Sequence, residues 1–493
     1  MRTPRLLVTT LFCSLSVAAF QPVPCSAAAA NSPDVKDPAA SQAAEELVWS
    51  DASRATLDQA LQKRAGHGLD RVIFLDDAPD GEQPAARDGR YTRAAFAYAG
   101  ALARGRVDPA TLHGIYTLAR PEPDLRAGLQ QALRRGELNG WLAGLAPQDD
   151  GYARLSRAYL SYRDLAANAP PAAPIALAEP IHIGDTDPRV TEIAQQLVDD
   201  DYLPSMPDSA GLVVYSRAIA EAVTALQKDY GIAADGVVGP ETLGVLNMGP
   251  GDRARALAVA LERRRWLSRT PPATRIDVNT AAARLRYWRD GVLVDERRVI
   301  VGEPGRETPM LGSPIYRLVA NPTWTIPKSI QNGEMANVDR DYLRAHNMIR
   351  RDGWIVQRPG PNNALGLVKF DMRNRHAIYL HDTSSPSLFD RSQRHLSHGC
   401  VRVSDALGFA DMLAEQEGIA GKWRAARDSG KHRFVPLPSE IPVRLIYGNV
   451  FVAGDRVVFR TDPYGWNDKV AEALGFAGPA SPRATAQAVD IGP

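Results

Sequence analysis

The sequence predicts an α+β chain of several domains: an all-helical scaffold, a compact unit of three helices, and a mainly β domain with a lid insertion. Three observations predict it. Apolar residues recur at helical spacing through the first half, and beyond Pro272 the spacing changes to alternation. Stretches rich in Pro and Ala divide the helical part. The length of 493 residues also exceeds what one core organises, since single cores stop growing near roughly 250–300 residues.

Residues 1–30 read as an export signal. Arg2 and Arg5 precede the apolar run "LLVTTLFCSLSVAAF", and "QPVPCSAAAA" offers small residues for cleavage near Ala28 to Ala30. The run is short beside the about 20 residues that span a bilayer. No membrane span is therefore expected after cleavage, and the mature protein is placed in the periplasm, associated with the cell wall. Cleavage removes Cys13 and Cys25 and leaves Cys400 alone, where no internal disulfide is open to it. Apolar content of 44% and charged content of 23% are those of a globular protein. The balance of 58 basic and 57 acidic residues argues against nucleic acid as a partner.

Residues 43–175 form the helical scaffold, with Leu57, Ala60 and Leu61, and again Leu125, Leu129 and Leu133, at helical spacing. No polar cluster in it suggests chemistry. "AANAPPAAPIALAEP" (residues 166–180) reads as a linker. Residues 178–250 form the three-helix unit. Val190, Ile193, Ala194, Leu197 and Val198 share one helical face, and Ile219, Val223, Leu226 and Tyr230 share another. Gly231 is placed to end the second helix and Pro240 to open the third. An amphipathic connecting helix is expected over residues 251–270, the β domain over 272–465, and a C-terminal tail over 466–493. Asp290-Gly291 marks one hairpin and Gly454-Asp455 another. Within the β domain, residues 328–365 are polar, with a helical stretch and a loop-like one, and are assigned as a lid.

Chemistry concentrates in "RHLSHGCVRVSDALG" (residues 394–408). Thiol acyl transfer needs a thiolate, an imidazole to take its proton, and donors for the developing oxyanion. "AIYLHDT" ends a strand with His381, and "SHGCVR" supplies Ser397, His398, Gly399, Cys400 and Arg402. In an extended segment His398 and Cys400 share a face. Gly399 permits a turn or a close ligand approach, and its amide and that of Cys400 are candidate oxyanion donors. An inert buried thiol is the bland alternative for Cys400. A zinc site drawn from His376, His381, His395, His398 and Cys400 is another, but no pair has the spacing of an HExxH helix and there is no CxxC. No metal and no cofactor is expected.

The segment "ADGVVGPETLGVLN" and the helices before it resemble the three-helix peptidoglycan-binding domain of cell-wall enzymes. Leu226 departs from that pattern, which often has an aromatic there. "NPTWTIPKSI", "PGPNNALGLVKF", "IYLHDT" and "SHGCVRVSDA" resemble the YkuD-type L,D-transpeptidases of the large class, which combine a helical scaffold, a peptidoglycan-binding domain and a lid. The nineteen-residue step from His381 to Cys400 fits the family signature.

The resemblance implies a YkuD-like β-sandwich with Cys400 as nucleophile and His381 as base, oriented by the Asp382 carbonyl. It leaves His398 as a neighbour or an alternative base. It also implies a substrate-binding surface of Ser397, Gly399, Arg402, Tyr379 and Trp324, with core packing the alternative for the aromatics. The implied reaction joins peptidoglycan tetrapeptide stems by 3-3 crosslinks through a thioester, which carbapenem-type β-lactams would block. Water in place of the acceptor amine gives a carboxypeptidase or amidase, and a non-catalytic wall-binding protein is the third alternative. Peptidoglycan stems are the expected partner, with cell-wall synthesis proteins as further candidates.

Overall fold

The computed structural model describes residues 47–168, 173–207 and 213–477. The signal expected at residues 1–30 lies outside them, as do residues 478–493.

Helices α1 (Asp51–Gln62), α2 (Pro84–Arg104), α3 (Pro109–Leu112), α4 (Leu125–Arg135), α5 (Leu138–Leu145) and α6 (Asp150–Asn168) build the scaffold. Leu57, Leu69, Tyr98, Leu129, Leu142 and Tyr159 are buried in its core. The Asp124 carboxylate caps α4 by accepting from Ala127 N at 2.9 Å, and Gly136 closes it in the left-handed conformation. Next come α7 (Arg189–Asp199), α8 (Arg217–Tyr230) and α9 (Pro240–Leu246), with Gly231 ending α8 and Pro240 opening α9. Gln227, buried at the end of α8, accepts from Gly236 N and donates to Val237 O and Thr242 Oγ1. One amide side chain thus holds the loop that leads into the third helix.

The amphipathic connecting helix expected over residues 251–270 is instead a central helix. Of its residues, α10 (Pro250–Trp266) buries thirteen, four arginines among them. Each guanidinium meets a partner on another element. Arg253 holds Asp200 at the end of α7, Arg255 holds Asp468, and Arg263 holds Asn449, Asn467 and the Trp466 carbonyl. Arg265 holds Glu262, Tyr152 and the His67 carbonyl. Charges spaced along a helix read in sequence as a solvated stripe; here partners across domain boundaries bury it. The tail expected over residues 466–493 is likewise corrected. Its described part forms α15 (Asn467–Ala473) against α10, with Val470, Ala471 and Leu474 fully buried.

The β domain opens with β1 (Arg275–Asn279), β2 (Arg284–Arg289), β3 (Val292–Gly302) and β4 (Leu311–Ala320). The lid region holds β5 (Trp324–Thr325), α11 (Lys328–Asn332), α12 (Arg340–Ala345), β6 (Met348–Arg351) and β7 (Trp354–Gln357). Then come β8 (Val368–Met372), β9 (Leu380–His381), β10 (His395–Ser397), β11 (Val401–Val403), α13 (Ala406–Gln416), α14 (Ala420–Asp428) and β12 (Arg433–Ile446). The main sheet runs β10-β3-β11-β9-β8-β4-β12-β1-β2, and β2 pairs back onto β3. These pairings close the sheet on itself. Its inner face and α13 share one core, with Phe409 packed between Tyr287 and Phe370.

Asp290-Gly291 makes the β2–β3 turn, both residues having positive φ. The second predicted hairpin, β13 (Val450–Ala453) with β14 (Arg456–Phe459), forms a separate sheet against α6 and α10 rather than extending the main one. The whole lid region holds two short helices and a hairpin, turning at Asp352-Gly353, that pairs with β5; of the stretch expected to be helical, residues 335–353, only α12 is. Its own small core contains Trp324, Ile326, Ile330, Met335, Leu343 and Ile355. Among the described residues no helix is long and apolar enough to cross a membrane.

Arg265 and Glu262 are both fully buried, and the Glu262 carboxylate also accepts from Trp266 Nε1 and Val107 N. Arg265→Met leaves that carboxylate without its countercharge. We expect a loss of about 3–5 kcal/mol, read as a lowered urea midpoint by circular dichroism. Arg154→Ala, at a surface pair, should leave the midpoint nearly in place.

Candidate active site

Strand register assembles the site. β9 lies between β8 and β11, with Lys369 opposite His381 on one side and Arg402 opposite His381 on the other. Alternate residues of a strand share a face. Phe370, Leu380, Val401 and Val403 therefore enter the core, while Lys369, Tyr379, His381 and Arg402 take the outer face. Cys400 precedes β11 and extends its register, because Val401 N donates to the Tyr379 carbonyl at 3.1 Å. The thiol thus stands on the same face as the imidazole. The Tyr379 ring lies edge-on to His381 at 5.6 Å, and Lys369 Nζ sits 4.1 Å from the Tyr379 ring centre. Tyr379 also packs against the lid core.

His381 is fully buried, and its Nδ1 lies 2.5 Å from the Asp382 carbonyl oxygen. A carbonyl only accepts, so Nδ1 carries the proton and Nε2 keeps its lone pair. Nε2 has no hydrogen-bond partner in the protein. Burial, then the Arg402 charge, holds the imidazole well below its usual range, although the Asp382 carbonyl pulls the other way. The ring is a neutral base at pH 7. The Asp382 carboxylate accepts from Leu367 N at 2.8 Å, which ties the base to the end of the lid region. Burial also pushes the Cys400 thiol up, against hydrogen bonds from Tyr379 and the charges of Lys369 and Arg402. At rest the thiol, which donates to the Ala377 carbonyl at 3.5 Å, and the imidazole are both uncharged.

Within "SHGC" the chain bends at His398 and Gly399, between β10 and β11, rather than running extended throughout as expected. Gly399 has φ +112, in the region that favours glycine. Ser397, wholly buried, donates from Oγ to the Cys400 carbonyl at 2.6 Å and accepts from Gly399 N at 3.2 Å. Two expectations change. The Gly399 amide is engaged by Ser397 and is not free for an oxyanion, whereas the Cys400 amide has no such partner among the described contacts. His398, in place of sharing a strand face with Cys400, directs Nε2 to the lid residue Glu334 at 2.8 Å. Burial works against the Glu334 charge, but His398 and Arg306 together hold its carboxyl below the usual range.

Arg402 is 1% exposed, so it acts on the site through its charge from below the surface. Trp324, 2% exposed, belongs to the lid core. His395 is buried with Nε2 on the Thr280 carbonyl, and among the described residues no three His, Cys, Asp or Glu side chains converge as a metal-binding group.

Several supporting residues escaped sequence reasoning. Thr308 Oγ1 donates to the Gly399 carbonyl and accepts from Gly302 N, both at 2.8 Å. Tyr464 donates to the Gly302 carbonyl at 2.7 Å. Gly302 is glycine by necessity, since a Cβ there would lie 2.2 Å from the Arg306 carbonyl oxygen. Only Lys369 carried a signal, the alternation of "LVKFD".

Residues 273–443 match the YkuD family model, described as the L,D-transpeptidase catalytic domain. The chain carries a YkuD domain. Residues 41–158 match a scaffold domain and residues 186–246 a peptidoglycan binding domain. A curated Haemophilus influenzae protein described as a "Putative L,D-transpeptidase" is 32% identical over 223 residues, which are 40% of this chain and 45% of that one. The match thus spans under half the length of that relative. Solved structures similar to this chain include an L,D-transpeptidase from Stackebrandtia nassauensis, at 17% identity, 55% of this chain, 97% of that chain and a TM-score of 0.25. Another, from Xylanimonas cellulosilytica, shows 20% identity, 56% and 100% coverage, and a TM-score of 0.20.

Two outcomes are expected around Cys400. Thr308→Val strips partners from Gly302 N and the Gly399 carbonyl, costing about 1–3 kcal/mol. It should lower kcat more than it changes KM, as measured by thermal denaturation and steady-state kinetics. A raised thiol and a lowered imidazole also set a sign for pH. Alkylation of Cys400 by iodoacetamide should climb with pH and titrate above the ordinary thiol value of about 8.5. A flat rate between about pH 5 and 7 would instead reveal a thiolate–imidazolium pair.

Proposed function

We propose that the YkuD domain joins peptidoglycan peptide stems by acyl transfer through Cys400. His381 Nε2 accepts the thiol proton as Sγ attacks the carbonyl carbon before the terminal D-Ala of a tetrapeptide stem. The Cys400 amide is the main-chain donor placed for the oxyanion. The C–N bond breaks, His381 returns the proton to the leaving amine, and a thioester remains. An amine from a neighbouring stem then attacks that thioester. Its proton passes to His381, the C–S bond breaks and the thiol is restored with a 3-3 crosslink made.

The observation that carries this reading is the unpartnered Nε2 of a neutral, buried His381 on the same sheet face as Cys400. His398, engaged by Glu334, is the weaker candidate for base. Arg402 and Lys369 add positive charge where thiolate and oxyanion develop. Peptidoglycan is the substrate, approached from the lid side, and no metal or cofactor enters any step. The signal at residues 1–30 would deliver the enzyme to the periplasm, where this substrate lies.

Incubating the protein with defined disaccharide-tetrapeptides and reading products by mass spectrometry tests this. Crosslinked dimer together with released D-Ala is expected, and Cys400→Ala should abolish both. Release of D-Ala without dimer would make water the acceptor. Full turnover by Cys400→Ala would sink the thiol mechanism.

A further inference from the structure

A second concave surface lies away from the thiol. Around the closed sheet, three strands separate β9 from β1 in either direction, so the outer face of β1 is on the opposite side from the nucleophile. There β1, β2 and β12 face the scaffold loop at 144–151 and the end of α10 across a cleft of about 720 Å³. That volume falls in the usual range for small-ligand sites.

Register determines what lines the cleft. Arg275 pairs with Trp288, Asp277 with Arg286, and Asn279 with Arg284 across β1 and β2, while Arg444 of β12 lies opposite Asp277. Since paired residues share a face, four arginines and one tryptophan converge on it. Too few carboxylates answer them. Asp277 accepts from both Arg444 Nε at 2.6 Å and Arg275 Nε at 2.9 Å. Glu296, on neighbouring β3, accepts from Arg284 Nη1 at 2.6 Å and Arg286 Nε at 2.7 Å. Each carboxylate is shared by two guanidiniums, which leaves one positive charge over in each group. From the far wall Arg264 adds a guanidinium held by Asp149 and 40% exposed. Arg275 stacks over the Trp288 ring at 4.7 Å, and Trp288 Nε1 is a buried donor without a protein acceptor.

We propose that this cleft is a second binding site, for a small polyanion bearing carboxylate or phosphate groups. Guanidinium forks match the planar oxygens of both groups, and the shared carboxylates hold the forks in place before a ligand arrives. Peptide-stem carboxylates and phosphorylated glycans both supply this chemistry. The inference does not depend on acyl transfer at Cys400, and its failure would leave that reading intact.

Hydrogen–deuterium exchange on the full chain carrying Cys400→Ala tests it, with a disaccharide-tetrapeptide and with tripolyphosphate as probes. Slower exchange over residues 284–289 and 444–452 is expected with at least one probe. The probe that acts identifies the source, carboxylate or phosphate. Arg284→Ala with Arg286→Ala should weaken that probe by about tenfold or more, the worth of a charge-assisted contact, and leave tetrapeptide turnover in the Cys400 enzyme unchanged. Arg264→Ala, on the exposed scaffold wall, gives the same direction if the strand variants unfold. Unchanged exchange in both segments with both probes, or slowing that survives all three substitutions, overturns the proposal.

Discussion

The arginines of α10 are the constraint on which the rest of the molecule depends. A buried guanidinium is costly unless acceptors answer its charge, and the terminal nitrogens of these find theirs at the end of α7, on α15, at the β13 strand entry and on the scaffold. The helix cannot be satisfied by any one domain. Scaffold, three-helix unit, β domain and C-terminal helix must all be in place before its charges are answered. A helix that joins two domains in sequence therefore joins four pieces in space, and positions them by hydrogen-bond geometry as well as by apolar contact.

The same logic operates at the thiol on a smaller scale. The His381 imidazole is set by one carbonyl, that of Asp382, whose carboxylate in turn holds the end of the lid region. The turn at Cys400 is set by one hydroxyl, that of Ser397, and braced from behind by Thr308. Burial keeps the thiol and the imidazole uncharged at rest, so in the proposed mechanism their ion pair forms as substrate arrives. Arg402 and Lys369, placed beside the pair by register, favour the anionic partner when it does.

Much of this was legible in the chain. The switch from helical to alternating spacing located the β domain, and "IYLHDT" with "SHGCVR" drew attention to His381 and Cys400, which β9 and β11 set on one face. Short-range signals worked because their physics is local, as at Gly231, Pro240 and Asp290-Gly291. Asp352-Gly353 carries the same hairpin signal, hidden in a stretch whose polarity suggests helix. Thr308 and Tyr464 were beyond reach, since neither belongs to a motif and their contacts with Gly399 and Gly302 cross 91 and 162 positions. The burial of α10 escaped for a related reason: nothing near Arg253 or Arg263 in sequence announces Asp200 or Asn467.

The Tyr464 brace carries a consequence for how the protein is made. Synthesis runs from the N-terminus, so Cys400 and His381 leave the ribosome well before Tyr464 and the α15 residues that α10 holds. Until those last residues arrive, Gly302 and the loop beneath Cys400 lack their outer support, and Asn467 is not there to engage Arg263. A chain cut short in this region would contain the thiol without its complete support. Completion of the polypeptide is in this sense a condition for full support of the Cys400 turn.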